Sequence, residues 1–286
     1  MALHVFRLLL LCGALLCGGC ASTQIPRGAL AESDPDAIAR LTASQRAHGS
    51  AAFGTVRDLN VRYAESWGAL GPRLHSAIAD RRYRRESDEA LDLNTRTTLQ
   101  LHKGPGGRKF VFRGPDRVTV WYNGQAENRE EAKRAAALNA DTYKLFLLGP
   151  HYFQRGGVTL SSLPPATVEG HKCDRVLAVL QPGFGFAEED RAVLSIDRAS
   201  DRLRRVQVTV RGLSKTKNTE LDVTFADWAS RGGVIWPARY QERARGMLTL
   251  ATREWRLLDL KVNRGFAPQQ PELMGEVLGE AAQRAR

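Results

Sequence analysis

Val206, Val208 and Val210 alternate with Arg205, Gln207 and Thr209, and this period of two recurs in short runs from about residue 59 to residue 262. Successive side chains of a strand point to opposite faces, so each run carries one apolar face and one polar face. Leu59, Val61 and Tyr63 form one such set. Leu99 and Leu101 form a second, Phe110 and Phe112 a third, and Val118, Val120 and Tyr122 a fourth. Gly104-Pro105-Gly106-Gly107, Gly114-Pro115-Asp116 and Asn123-Gly124 supply tight turns between them. Further runs fall at 173–180, 192–196, 203–210, 221–225, 234–240, 247–252 and 255–262. About 11 strands in an antiparallel meander are too many for a flat sheet, so the sheet is expected to curl.

Two helices interrupt this pattern. Asp34 is placed to cap the first, with Pro35 at the first helical position and Gly49 beyond its end. Asn128 is placed to cap the second, with Glu131 completing a capping-box-like pair. Ala136, Ala140, Tyr143 and Leu147 follow at helical spacing, and Gly149-Pro150 stops the helix. Gly156, Gly157, Pro164 and Pro165 then read as loop.

The first residues point to export. Arg7 precedes roughly ten apolar residues, too few to span a bilayer, which takes about 20. Gly18-Gly19-Cys20 then resembles a lipobox, in which the thiol is acylated and the chain is cut before it. Residues 1–19 read as a signal peptide, Cys20 as the lipid-attachment residue and 20–33 as a tether. The main domain is expected over 34–266, with a tail over 267–286. An ordinary cleaved leader without lipid is the alternative reading. Cys12 and Cys17 would leave with the leader and Cys20 would carry lipid, so Cys173 alone remains and no disulfide can staple the domain. Removing residues 1–19 takes away Arg7 and no acid, so the formal charge of +11 becomes +10. That balance suits anionic lipid surfaces; export argues against nucleic acid, and solvated strand faces are the plainer account of the arginines.

A search for chemistry returns little. Ser214 lacks the second glycine of a GxSxG elbow, and no HExxH or paired CxxC occurs. Gly104–Lys109 lacks the GK[ST] ending of a phosphate loop and reads as a hairpin turn. His48 with Asp58 or Glu65 behind it is a weak candidate base; a helix-capping or surface histidine is the plainer reading. Asp197 and Asp201 suit a turn, and Cys173 suits a buried strand position. No catalytic residue, metal or cofactor is expected. Tyr63, Phe110, Phe112, Val120, Tyr122 and Phe225 are the candidates to line a groove for acyl chains, and they serve equally well as core packing. Phe110 and Phe112 are expected on the concave face, with Lys109 and Arg113 opposite.

The second half carries a resemblance. Leu194-Ser-Ile-Asp197 leads by a short turn to Leu203-Arg-Arg-Val206. Val223-Thr-Phe-Ala-Asp-Trp228, Gly233-Val-Ile-Trp-Pro237 and Leu260-Lys-Val-Asn263 follow. In this order of strands and turns, over about residues 35–265, the chain resembles the LolA/LolB lipoprotein-carrier superfamily, which includes RseB-type sensor domains. The resemblance implies an α+β fold that is mainly β: a curved antiparallel half-barrel with helices covering its concave face, binding lipid or acyl chains without catalysis. The expected setting is the bacterial outer membrane, lipid-anchored and facing the periplasm. An envelope sensor or interaction module is the alternative in the same fold, with an unidentified envelope protein as partner. An envelope hydrolase is the alternative of another class.

Overall fold

The computed structural model describes residues 24–68, 79–213, 216, 219–245 and 249–266. The leader, Cys20, Ser214 and the tail after residue 266 lie outside these. Two helices open the described chain: α1 (Pro35–Ala47) and a single turn, α2 (Ser50–Phe53). Asp34 caps α1 as expected, its carboxylate accepting from the Asp36 amide at 2.9 Å. A meander follows: β1 (Asp58–Trp67), β2 (Glu86–Asp92), β3 (Thr97–Gly104), β4 (Gly107–Arg113), β5 (Val118–Tyr122) and β6 (Gln125–Ala126). Asn123 and Gly124 both adopt positive φ, as a two-residue hairpin turn between β5 and β6 requires. The long helix α3 (Glu130–Leu148) and a 3-10 turn (Gly149–Gln154) then carry the chain to the far edge. From there β7 (Val158–Val168), β8 (His171–Leu180), β9 (Asp190–Asp197), β10 (Leu203–Thr209), β11 (Glu220–Arg231), β12 (Val234–Arg245) and β13 (Thr249–Val262) meander back.

Because β13 pairs with β1, the two meanders fuse into one antiparallel sheet of 13 strands, in the order β6-β5-β4-β3-β2-β1-β13-β12-β11-β10-β9-β8-β7. The sheet curves without closing, and the helices lie on its concave face. Helix α3 runs along the trough, so much of its circumference is buried. Ala136 and Ala137 sit against Val111, Val118 and Val120, while Phe146 meets Phe225 and Trp255.

Several expectations need correction. The expected strands at 247–252 and 255–262 belong to one, β13. β2 has no apolar alternation: Ser87 and Glu89 face inward and Glu86 and Asp88 outward, and pairing with β1 and β3 holds the strand in place. β7 is an edge strand, and Pro164 and Pro165 fall at its register shift, where a missing N–H costs little. Asn128 does not cap α3. The helix begins after Arg129 with no side-chain cap, and the Glu127 carboxylate instead accepts from the Arg129 amide at 2.8 Å. From residue 24 the segment read as a tether lies on the sheet. Ile25 is buried against Leu177 and Val193, and Arg191 donates to the carbonyls of Pro26 and Gly28.

Candidate binding pocket

The trough between α3 and the middle of the sheet is filled. Tyr63 is buried among Tyr143 and Tyr240, and Phe225 among Phe146, Trp228 and Tyr240. Beside them lies a buried ion network. Glu65 pairs with Arg84 at 3.2 Å and accepts from the Tyr143 hydroxyl at 3.0 Å. Arg253 pairs with Glu242 at 2.6 Å, lies 3.8 Å from the second Glu65 oxygen, and donates to the Tyr143 hydroxyl. The Arg253 guanidinium also stands 4.7 Å from the Trp255 ring centroid. Val120 packs under the helix, and the Tyr122 hydroxyl donates to Asp80; burial first, and then that hydrogen bond and the Asp80 charge, raise the phenol above its usual range.

Phe110 and Phe112 are on the other face. Register places Val111 opposite Val120, and both meet α3, so Phe110 and Phe112 point away from the helix. They join Ala90, Leu99, Leu101 and Trp121, with Phe266 packed over them. The inward side of β4 is Lys109, Val111 and Arg113. Charge is therefore inside: Lys109 pairs with Asp80 at 2.5 Å, and burial lowers its pKa.

Open space lies at one end of the trough, in a cavity of about 710 Å³ lined by none of the six expected residues. Six elements meet there: α2, the β2–β3 turn, the C-terminal half of α3, the 3-10 turn, the β4–β5 turn and the loop 182–188 between β8 and β9. Arg113 and Asp141 tie α3, the β4–β5 turn and the loop together. Asp141 accepts from Arg113 at 2.9 Å and from the Gly185 amide at 2.8 Å. Arg113 in turn donates to the carbonyls of Gly114, Pro115 and Gly185. Gly185 has a φ of +64°, and a Cβ there would come within 3.1 Å of the Leu138 amide nitrogen, so the loop passes the helix only as glycine. Asp190 pins the base of the loop, accepting from the Phe184 amide, the Thr209 hydroxyl and the Arg211 amide. Phe186 is left 43% exposed over the Arg113 guanidinium.

Phe53, Leu93, Leu148, Tyr152, Pro182 and Phe186 give the cavity apolar walls. Lys144 reaches the Arg96 carbonyl at 3.2 Å. Burial lowers its pKa, Asp141 opposes the shift, and Arg113, Arg155 and Arg96 add to it. Arg155 donates to the Pro182 carbonyl at 2.6 Å and lies over Tyr152. At the back, His151 stacks on Phe53 at 4.1 Å with its pKa pushed down to about 4 by burial. A loop reading Pro182-Gly-Phe-Gly-Phe186 was the sequence signal for this site, an aromatic presented between glycines.

The weak catalytic candidates have structural places. His48 joins three elements: its Nδ1 donates to the Ile235 carbonyl and its Nε2 accepts from the Leu203 amide. Neither Asp58 nor Glu65 stands behind it. Asp58 accepts from the Arg264 and Gly265 amides, and Glu65 belongs to the network above. Asp197 accepts from the Ala199 amide and the Ser200 hydroxyl in the β9–β10 turn, while Asp201 pairs with Arg40. Cys173 is a buried free thiol. Among the described residues, no cluster of three or more His, Cys, Asp or Glu side chains is placed to hold a metal ion.

One comparison decides the architecture. The LolA superfamily protein NE2245 from Nitrosomonas europaea superposes with a TM-score of 0.52 at 9% identity, over 82% of this chain and 96% of that one. The fold is that of the LolA superfamily. A DUF1329 family protein from Desulfovibrio piger superposes with a TM-score of 0.48 at 12% identity, over 82% of this chain and 96% of that one. No protein-family model matches the sequence, and no curated protein matches it.

Proposed function

We infer that this chain is a lipid-anchored protein of the bacterial envelope that binds an apolar ligand, a lipid or lipoprotein acyl chains, without catalysis. The observation that carries the reading is the cavity of about 710 Å³, walled by aromatic and aliphatic side chains at the end of a LolA-type trough. Its size falls within the range of roughly 300–1,000 Å³ usual for small-molecule sites. A neutral fluorescent probe, a long-chain polyene methyl ester, is expected to bind the mature domain saturably. Phe186→Ser is expected to weaken that binding several-fold with only a modest change in melting, because Phe186 is 43% exposed. A wild-type domain that takes up no ester would remove the binding function. Phe112→Ala, on the opposite face, is expected to leave uptake unchanged. The packed trough favours a second reading, an envelope sensor or interaction module, which that failure would leave standing.

Anchoring rests on Gly18-Gly19-Cys20. Diacylglyceryl and N-acyl chains on Cys20 together exceed the two membrane signals that stable attachment takes. With Ala21 rather than Asp after the cysteine, the expected destination is the outer membrane. Intact mass of the mature chain should show the lipid, and Cys20→Ser should abolish it. A wild-type mass without lipid would overturn the anchor.

A further inference from the structure

The charges around the cavity are unevenly satisfied. Asp141 is taken up by Arg113 and the Gly185 amide, and the Asp92 Oδ1 by the Asn94 and Thr95 amides. Asp116 and Glu188 are exposed. Lys144 and Arg155, both half-buried, donate hydrogen bonds only to backbone carbonyls, and among the described residues no carboxylate lies within ion-pair range of either. The Arg155 Nε is buried without an acceptor among them. Lys144 and Arg155 thus stand without a carboxylate partner beside the aromatic and aliphatic part of the lining, and the exposed Arg96 adds a third positive charge to it. An apolar ligand alone would leave them unneutralised in a space that it dries, which is costly.

We propose that the cavity takes a single-chain anionic amphiphile, its carboxylate or phosphate head against Lys144 and Arg155 and its chain along Leu148, Tyr152 and Phe186. The proposal rests on the binding function inferred above and adds the headgroup to it. An anion at Lys144 makes a charge-assisted hydrogen bond in a partly desolvated site, whereas an uncharged head of the same size does not. Sequence spacing supports the arrangement: Lys144 and Leu148 are one turn apart on α3 and so present the cation and the apolar wall on one face.

The test compares a fluorescent polyene fatty acid with its methyl ester on the mature domain. The acid is expected to bind about tenfold more tightly, the worth of one such bond, and to weaken with added salt while the ester does not. Lys144→Met, and more fully Lys144→Met with Arg155→Met, should bring the ratio of acid to ester affinity down to about one. Equal binding of acid and ester by the wild type would overturn the headgroup assignment and leave the binding function intact. Binding of neither would overturn both. A preference for the acid that survives the double variant would overturn the two named cations. Inorganic phosphate binding as tightly as the acid would mark a free-anion site and overturn the amphiphile.

Discussion

Arg253→Met is expected to lower the stability of the domain by about 3–5 kcal/mol, the usual cost of removing one partner from a buried ion pair. Arg253 is 6% exposed and serves Glu242, Glu65 and Tyr143 at once. Two guanidiniums, Arg84 and Arg253, stand against two carboxylates, Glu65 and Glu242, so the loss of any one member leaves a net buried charge. Methionine fills much of the volume, but it leaves the Glu242 carboxylate buried with only the Thr252 hydroxyl to satisfy it. The paired change Arg253→Met with Glu242→Met removes both charges, and Glu65 keeps Arg84 and Tyr143. It should therefore recover most of the loss. Denaturant unfolding of the two variants beside the wild type checks this. A single variant within about 1 kcal/mol of wild type would mean that water reaches Glu242 when Arg253 is gone.

This network also explains where the sequence stops being legible. Alternation reveals that a strand has two faces but not which face meets the helix. On β8 to β11 the apolar set is the inward set, so Val176, Leu194, Val206 and Val223 can be read directly. On β2 to β4 the inward set is mostly polar, with Ser87, Glu89, Gln100, His102, Lys109 and Arg113 beside Leu91 and Val111. Lys109 and Arg113 find their partners, Asp80 and Asp141, 29 and 28 residues away. There the apolar set, Leu99, Leu101, Phe110 and Phe112, faces outward, and the far-off Phe266 packs over it. Strand polarity therefore pointed to the wrong wall. The cavity was hidden for a related reason: its residues come from α2, α3, the 3-10 turn, two hairpin turns and the loop 182–188, and only the folded sheet and helices bring them together. The turns and the edges behave differently, because their signals are local. Asn123-Gly124, Gly104–Gly107 and Asp34-Pro35 all act as their chemistry dictates.

Acidification is expected to destabilise the domain through two neighbouring histidines. His48 and His151 have ring centroids 6.4 Å apart, and both have pKa values pushed down to about 4, first by burial. For His48 the Ile235 carbonyl opposes the shift, and His151 and Arg202 add to it. Its geometry gives the reason in atoms: Nε2 accepts from the Leu203 amide, so a proton placed there would set donor against donor. The unfolded chain, titrating near the ordinary 6.5, binds more protons than the folded one between about pH 6.5 and pH 4. Stability is thus fully present above pH 6.5 and is lost as pH falls, by roughly 3 kcal/mol for each ring if the whole shift is realised. His102, fully buried with its pKa also lowered, acts in the same direction. Glu89 acts in the opposite one. Burial raises it to about 7, so its contribution is present below its ordinary value of 4.5 and is lost as pH rises towards 7. The wild-type profile is the sum of these, and a difference between two proteins isolates one member. His151→Phe keeps the stack on Phe53 and removes a titrating ring, forfeiting only the long contact to the His48 carbonyl at 3.4 Å. Its loss of stability between pH 7 and pH 4.5 should be smaller than that of the wild type by about 2–3 kcal/mol. Parallel profiles for the two proteins would show that the folded state accommodates the charged His151 ring without penalty, and its burial would then carry no pH dependence.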